Sequence, residues 1–183
     1  MQKKVLSEID LYYGDVKTPE GFEIDRDQIR NDIIESYVKL TRVSDNPQSY
    51  KFNDYTISFS KPLQWLQDYV RDHFRIDHMH TLITKDIYGN VMSPKEKSWV
   101  RHQVDPVDLR NSADYTFIYG VDVKKGSSEC IIEYDDNRRK NRTWHIPIEN
   151  NKFIMFPATN KYSFSPNKSD GLNIILTITY EYI

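Results

Sequence analysis

The chain is poor in cysteine and glycine and has no long apolar run. Its 183 residues include one cysteine, Cys130, and six glycines. A single cysteine excludes an internal disulfide framework, so we interpret Cys130 as a core thiol in a protein of a reducing compartment. No apolar run approaches the roughly 20 residues of a membrane-spanning helix, and the first residues lack the apolar core of a signal peptide. We therefore expect a protein that has no membrane segment and is not secreted by a signal peptide.

Charge and aromatic content indicate which kind of molecule the protein binds. The formal net charge is -2, from 25 basic and 27 acidic residues interspersed along the chain. Proteins held by phosphate charge usually carry a broad basic surface, so we do not expect a nucleic-acid partner. The 13 tyrosines, 8 phenylalanines and 3 tryptophans suit half-buried sheet positions and protein interfaces. This composition favours a β-rich protein that contacts other proteins.

Two helices are predicted in the N-terminal half. Residues 1–24 carry turn residues but little periodicity, so we expect an N-terminal arm. A helix at about 25–43 begins with a capping box formed by Asp25 and Gln28. A second helix at about 60–74 begins with Ser60 as its cap and Pro62 in its first turn. The apolar positions of each helix fall on one face: Ile29, Ile33, Tyr37 and Leu40 in the first, and Leu63, Leu66 and Val70 in the second.

The C-terminal part has the alternating pattern of strands. A short strand around Tyr55–Phe59 separates the two helices, and later strands are expected at about 78–87, 115–123, 128–134, 143–148, 153–156 and 172–183, with Gly89 and Asn90 in a turn. This spacing is that of a sandwich or barrel. We predict a mainly β protein of the α+β class: a C-terminal jelly roll on which the two helices pack, with residues 25–183 as one domain.

A histidine pair is the first candidate for a metal site. His78 and His80 alternate, so a strand would place both imidazoles on one face, where such a pair can hold iron or zinc. The alternative, which includes His73, is a helix end whose histidines lie over the last carbonyls, or a sheet edge. The pair lacks a third ligand in the sequence, and the alternative is the simpler interpretation.

His102 and Asp105 are the second candidate. They lie three residues apart ahead of a strand, an arrangement that loosely resembles the facial triad of two histidines and one carboxylate on iron. The usual spacing is His-x-Asp, and one extra residue would turn the carboxylate to the opposite face of a strand. The alternative is a turn built by Asp105 and Pro106. No phosphate loop, His-Glu-x-x-His or Gly-x-Ser-x-Gly motif is present.

Three C-terminal passages carry a family resemblance. Residues 114–120 read DYTFIYG, residues 152–157 read KFIMFP, and residues 164–170 read FSPNKSD ahead of Asn173–Ile178. They are similar to the strand after the iron motif, the strand before the distal histidine, and the closing strand of the Fe(II)- and 2-oxoglutarate-dependent oxygenases. The resemblance is to small prolyl-hydroxylase-like members found in bacteriophage genomes, and it covers well under half of the chain. It implies a double-stranded β-helix, which is a form of jelly roll.

The resemblance also implies where the family's functional residues should lie. The iron-binding His-x-Asp corresponds to Asp108–Arg110, the distal histidine falls within Asn160–Tyr162, and the arginine for the cosubstrate carboxylate corresponds to Gly171–Asn173. None of these segments supplies the expected histidines or the expected cation. We therefore predict no catalytic, cofactor-binding or metal-binding residue.

Three functional hypotheses follow, in order of preference. The first is a non-catalytic, oxygenase-like jelly-roll module, a structural or assembly subunit of a phage virion such as a head, neck or baseplate component, located in the virion or the host cytoplasm. Its partners would be other protein subunits. The alternative is an active Fe(II)- and 2-oxoglutarate-dependent dioxygenase, with His102 and Asp105 among its metal ligands. The third is a jelly roll that binds a sugar or another ligand without a metal.

Overall fold

A computed structural model describes residues 9–43, 54–74, 81–137 and 140–183. Within these ranges the chain forms helices α1 (Arg26–Val43) and α2 (Lys61–His73). None of the helices in these ranges is long and apolar enough to cross a membrane. The strands are β1 (Tyr12–Asp15), β2 (Asp54–Thr56), β3 (Leu82–Met92), β4 (Tyr115–Asp122), β5 (Glu129–Asn137), β6 (Lys140–Pro147), β7 (Lys152–Pro157), β8 (Lys161–Phe164) and β9 (Asn173–Tyr182).

The strands form two antiparallel sheets. One has six strands in the order β1-β7-β4-β9-β3-β2, and the other has three in the order β6-β5-β8. This arrangement, with two helices packed on a mainly β structure, confirms the predicted fold class. Part of the predicted arm, Tyr12–Asp15, pairs with β7 at the edge of the larger sheet. The division into an arm of residues 1–24 and one domain of residues 25–183 stays a prediction.

The helices begin and pack largely as the sequence predicts. The backbone N–H of Gln28 donates to Oδ1 of Asp25 at 2.9 Å, which caps α1. Ile29 and Ile33 of α1 are fully buried, as an amphipathic helix requires. Ser60 is the residue before α2, but its side chain makes no capping hydrogen bond. The predicted apolar stripe of α2 is buried in the same core: Leu63, Leu66 and Val70.

Strand β9 divides the interior into two cores, because successive side chains of a strand point to opposite faces. Ile174, Leu176, Ile178 and Tyr180 pack with the helices on one face of the larger sheet. Ile175 points to the other face, where the second core lies. Cys130 is buried in this second core, which confirms the predicted core thiol. The other large members of that core include Met92, Ile118, Ile132, Phe156, Tyr162 and Phe164.

The structure differs from the sequence prediction at one turn and at one strand. Gly89 and Asn90 do not form a turn, because they lie inside β3, where Gly89 pairs with Tyr55 on one side and Leu176 on the other. The glycine is needed for close packing, since a Cβ at this position would collide with the side chain of Ile33. Strand β8 was not predicted at all, although it completes the smaller sheet.

Candidate functional site

A short extended segment beside β8 builds the candidate site. Arg101 and Tyr162 exchange two backbone hydrogen bonds, from Arg101 N to Tyr162 O at 2.9 Å and from Tyr162 N to Arg101 O at 2.7 Å. Two residues further on, Gln103 N donates to Ala158 O at 3.0 Å. Because side chains alternate along extended chain, those of Arg101 and Gln103 point the same way. Both reach the side chain of Tyr162.

Five side chains converge here, and we call them the Arg101 cluster: Asp54, Tyr88, Arg101, Gln103 and Tyr162. Nη1 of Arg101 lies 2.6 Å from each carboxylate oxygen of Asp54. The guanidinium carbon lies 5.5 Å from the ring centre of Tyr88 and 5.3 Å from that of Tyr162. Nε2 of Gln103 donates to the hydroxyl of Tyr162 at 2.6 Å and also to that of Tyr88. An ion pair, two cation–π contacts and an amide bridge thus hold one cation in place.

The cluster continues inward through neutral groups. Asn90 Nδ2 donates to Oδ1 of Asp54 at 2.5 Å, and Thr177 Oγ1 donates to Oδ1 of Asn90 at 2.8 Å. Asn90 and Thr177 are buried on β3 and β9. The chain of hydrogen bonds therefore ties the short edge strand β2, which carries Asp54, to the middle of the larger sheet.

Burial sets the protonation of the cluster. Arg101 is 8% exposed and Tyr162 is fully buried. Burial raises the pKa values of the Tyr88 and Tyr162 phenols, which are therefore neutral near pH 7. Burial also raises the pKa of Asp54, against the opposing effect of the Arg101 guanidinium. The site thus combines a permanent cation, neutral hydrogen-bonding groups and a desolvated carboxylate.

The structure keeps the second sequence-predicted pair outside this cluster. His102 lies between Arg101 and Gln103 but is exposed. Asp105 is also exposed, and its Oδ1 accepts a hydrogen bond from the backbone of Val107 at 2.8 Å. Asp105 thus builds a turn, as the alternative interpretation expected.

The first histidine candidate is described only in part. Nδ1 of His73 lies 2.9 Å from the carbonyl oxygen of Tyr69, at the end of α2, which agrees with the helix-end interpretation. His78 and His80 lie outside the described residues.

The structure also describes the segments that the family resemblance assigns to the iron motif and to the cosubstrate cation. Asp108–Arg110 is exposed and overlaps a 3-10 turn, while the segment that lies beside β8 is 101–103. The assignment of the iron motif to 108–110 stays a prediction, and this segment lies in the connection between β3 and β4, outside the Arg101 cluster. Asn173 stands where the resemblance implies a cation, and its Nδ2 donates to Ser127 Oγ at 2.7 Å and to Ser128 Oγ at 2.8 Å.

The described residues do not fit an iron(II) ion. A facial triad needs two imidazoles and one carboxylate around one point. The side chains that meet at the cluster are instead a guanidinium, an amide and neutral phenols, with Asp54 as its carboxylate. Across the ranges that the structure describes, no three His, Cys, Asp or Glu side chains are grouped so that they could hold a metal ion.

Sequence reasoning missed four of the five cluster residues. Asp54 lies 47 residues before Arg101, and Gln103 lies 59 residues before Tyr162. No local period or motif connects positions that far apart. The one signal in the sequence was the family resemblance, which pointed to Asn160–Tyr162 as a site position.

Solved structures with a similar fold are known, although no sequence match was found. No family model and no curated protein sequence matches the chain. The viral collagen prolyl hydroxylase of Paramecium Bursaria Chlorella virus-1, solved with 2-oxoglutarate, has a TM-score of 0.62 and 15% identity, covering 93% of this chain and 94% of that one. A prolyl-4-hydroxylase from Pseudomonas putida has a TM-score of 0.58 and 7% identity, covering 93% and 91%. AviO1 from Streptomyces viridochromogenes has a TM-score of 0.58 and 11% identity, covering 93% and 89%.

These similarities contradict the main functional prediction. The chain spans 52% of the length of a further similar structure, a 2OG-Fe(II) oxygenase family oxidoreductase from Burkholderia pseudomallei. Of the three structures with TM-scores of 0.58 to 0.62 above, the two with a stated activity are prolyl hydroxylases. The prediction of a non-catalytic phage virion subunit is therefore wrong, and its alternative, an oxygenase, is better supported. The chain has the double-stranded β-helix fold of the Fe(II)- and 2-oxoglutarate-dependent oxygenases.

Proposed function

We propose that the chain uses this oxygenase fold to bind a small organic acid of the 2-oxo acid class at the Arg101 cluster. The observation that carries the proposal is that the buried Arg101 guanidinium already holds a carboxylate. Both oxygens of Asp54 lie 2.6 Å from its Nη1. A ligand carboxylate would meet the same cation.

The chemistry of the cluster suits a carboxylate with a neighbouring polar group. A guanidinium is always charged and presents N–H donors in a plane that matches a carboxylate. In a buried setting its attraction for an anion is stronger than in water. The amide of Gln103 and the phenols of Tyr88 and Tyr162 are neutral hydrogen-bonding groups that can contact the oxo or hydroxyl group of such an acid. These residues would bind and orient the ligand.

The cluster is accessible from the surface. The Asp54 side chain is 31% exposed, and Gln103 is half-buried, so the cluster reaches the surface on their side. The ring of Phe156 packs against that of Tyr162 with centroids 5.2 Å apart and closes the inner side of the cluster. A ligand would therefore approach Arg101 from the side of Asp54 and Gln103.

A second candidate function is hydroxylation by an Fe(II)- and 2-oxoglutarate-dependent oxygenase. It is supported by fold similarity over 93% of the chain to a prolyl hydroxylase solved with 2-oxoglutarate. The described residues do not form the ligand set of the metal. Both candidates share the ligand class, and they differ in the need for a metal.

Calorimetric titration with 2-oxoglutarate tests the proposal. We expect binding by the wild-type chain and a loss of affinity of about 10- to 100-fold in Arg101→Gln, since a hydrogen bond to a charged group contributes roughly 1.5–3 kcal/mol. Arg110→Gln is the matched control, because Arg110 is exposed in the same connecting segment. Unchanged affinity in Arg101→Gln, or no binding by the wild type and by variants that lack the Asp54 carboxylate, would contradict the proposal. Conversion of 2-oxoglutarate to succinate with iron(II) and oxygen would establish the second candidate instead.

A further inference from the structure

Arg101, Gln103 and Tyr162 meet at one point between the sheets, as the ligands of a metal ion would. We infer that the Arg101 guanidinium is the fixed cation of this site, standing in place of a metal ion, and that Asp54 occupies it until an external organic acid replaces it. The first part of this inference stands on the geometry alone. The second part rests on the proposed function for the identity of the acid.

The convergence follows from backbone pairing. Arg101 lies directly opposite Tyr162 in an antiparallel bridge, and Gln103 follows two residues later on the same face. Gln103 Nε2 lies 2.6 Å from the Tyr162 hydroxyl, and the guanidinium carbon lies 5.3 Å from the Tyr162 ring centre. Two positions that are two residues apart, Arg101 and Gln103, and a third position on the neighbouring strand, Tyr162, thus surround a single volume. The guanidinium, rather than a vacant coordination site, fills it.

A divalent metal ion and this guanidinium exclude one another. Like charges at such a separation repel strongly where water is absent, and Arg101 is nearly fully buried. The other two side chains are an amide and a phenol, and burial raises the pKa of the phenol, so neither supplies the negative charge that stabilises a bound metal. A buried cation needs a counter-charge, which Asp54 already provides.

Asp54 has the features of a built-in occupant of the site. It lies on the three-residue strand β2, at the edge of the larger sheet, and its side chain is 31% exposed. Its contact with Nη1 of Arg101 through both oxygens is the contact that an incoming carboxylate would make. An external acid would therefore compete with Asp54. Removal of the Asp54 carboxylate should make the contact with Nη1 of Arg101 available to that acid.

Manganese titration followed by NMR tests the identity of the cation. Mn(II) broadens amide signals near its binding site, so we would follow the signals of Gln103 and Tyr162. We expect no selective broadening in the wild type. We expect selective broadening once Arg101→His, Gln103→Asp and Tyr162→His together install two imidazoles and a carboxylate, in a variant whose folding is checked by thermal unfolding. Selective broadening in the wild type at equimolar Mn(II) would overturn the inference, whatever the triple variant does.

Binding without metal tests the role of Asp54. In the presence of EDTA, we expect Asp54→Ala to bind 2-oxoglutarate and acetate about 10-fold more tightly than the wild type, a gain equivalent to roughly 1.4 kcal/mol. The gain should vanish in Asp54→Ala combined with Arg101→Gln. Asp122→Ala is the matched control, since Asp122 pairs with Arg30 at the surface. If Asp54→Ala fails to fold, Asp54→Asn is the second variant, since it keeps the side-chain volume. We expect Asp54→Asn to show a smaller gain in affinity than Asp54→Ala.

The outcomes separate the two proposals. Binding that is lost in EDTA, or a variant at Asp54 that binds no more tightly than the wild type, would overturn the inference and leave the proposed organic-acid site standing. Failure of the wild type and of both Asp54 variants to bind either acid would overturn the proposed function. In that case the manganese experiment still decides whether Arg101 takes the place of a metal.

Discussion

The Arg101–Asp54 ion pair should make a large contribution to stability, and Asp54→Asn measures it. The Arg101 side chain is 6% exposed and that of Asp54 is 31% exposed. Removal of one partner from a buried pair costs about 3–5 kcal/mol, because the remaining charge loses its counter-charge but stays buried. Since Asp54 is partly exposed, we expect the low end, about 3 kcal/mol. With a urea m-value of about 2 kcal/mol/M, the midpoint of unfolding should fall by about 1.5 M.

The control for this experiment is the surface pair Arg30–Asp122. Its side chains are 45% and 50% exposed, so Asp122→Asn should cost under about 1 kcal/mol. The double variant Asp54→Asn, Arg101→Gln should lose less free energy of unfolding than the two single variants lose in total, because it removes both charges together. The reasoning is refuted if Asp54→Asn costs no more than Asp122→Asn, or if the costs of Asp54→Asn and Arg101→Gln simply add.

Three further predictions concern the glycines, the thiol and the buried phenols. Gly120→Ala should lower the free energy of unfolding by about 3 kcal/mol or prevent folding, because its Cβ would overlap the backbone of the turn after β6. Gly171 has open space around it, so Gly171→Ala should stay within about 0.5 kcal/mol of the wild type by urea unfolding. Cys130 should resist a thiol reagent in the native protein and react after unfolding, because burial raises its pKa; equal rates would contradict its placement. Burial also raises the pKa values of Tyr119 and Tyr180, so the folded state keeps protons that the unfolded state loses. Stability should therefore fall as the pH rises above about 10, and native phenol absorbance that titrates like free tyrosine would refute this.

Local patterns in the sequence determined much of the fold. The helical period of Ile29 and Ile33 predicted the buried face of α1, since residues three and four apart share a face of a helix. The alternating pattern at 172–183 predicted the last strand, since the period of a strand is two. These features depend on residues close together in the chain, because the period of a single helix or strand decides which of its side chains are buried.

Local patterns failed where a distant partner overrides propensity. Gly89 and Asn90 have the composition of a turn, but pairing on both sides and the close approach of Ile33 hold them in a central strand. Strand β8 is too short to show a period and is fixed by its pairing with β5. In both segments, tertiary contacts outweighed local preference.

Only the tertiary structure decided the candidate site. The sequence offered His102 and Asp105 as metal ligands only under the alternative function, and both are exposed. The residues that meet are Asp54, Arg101 and Tyr162, which come from an edge strand, an extended segment and the smaller sheet. Sheet pairing over long separations brings them together, and burial then makes their charges and hydrogen bonds strong enough to matter. A pattern confined to neighbouring residues contains no information about either step.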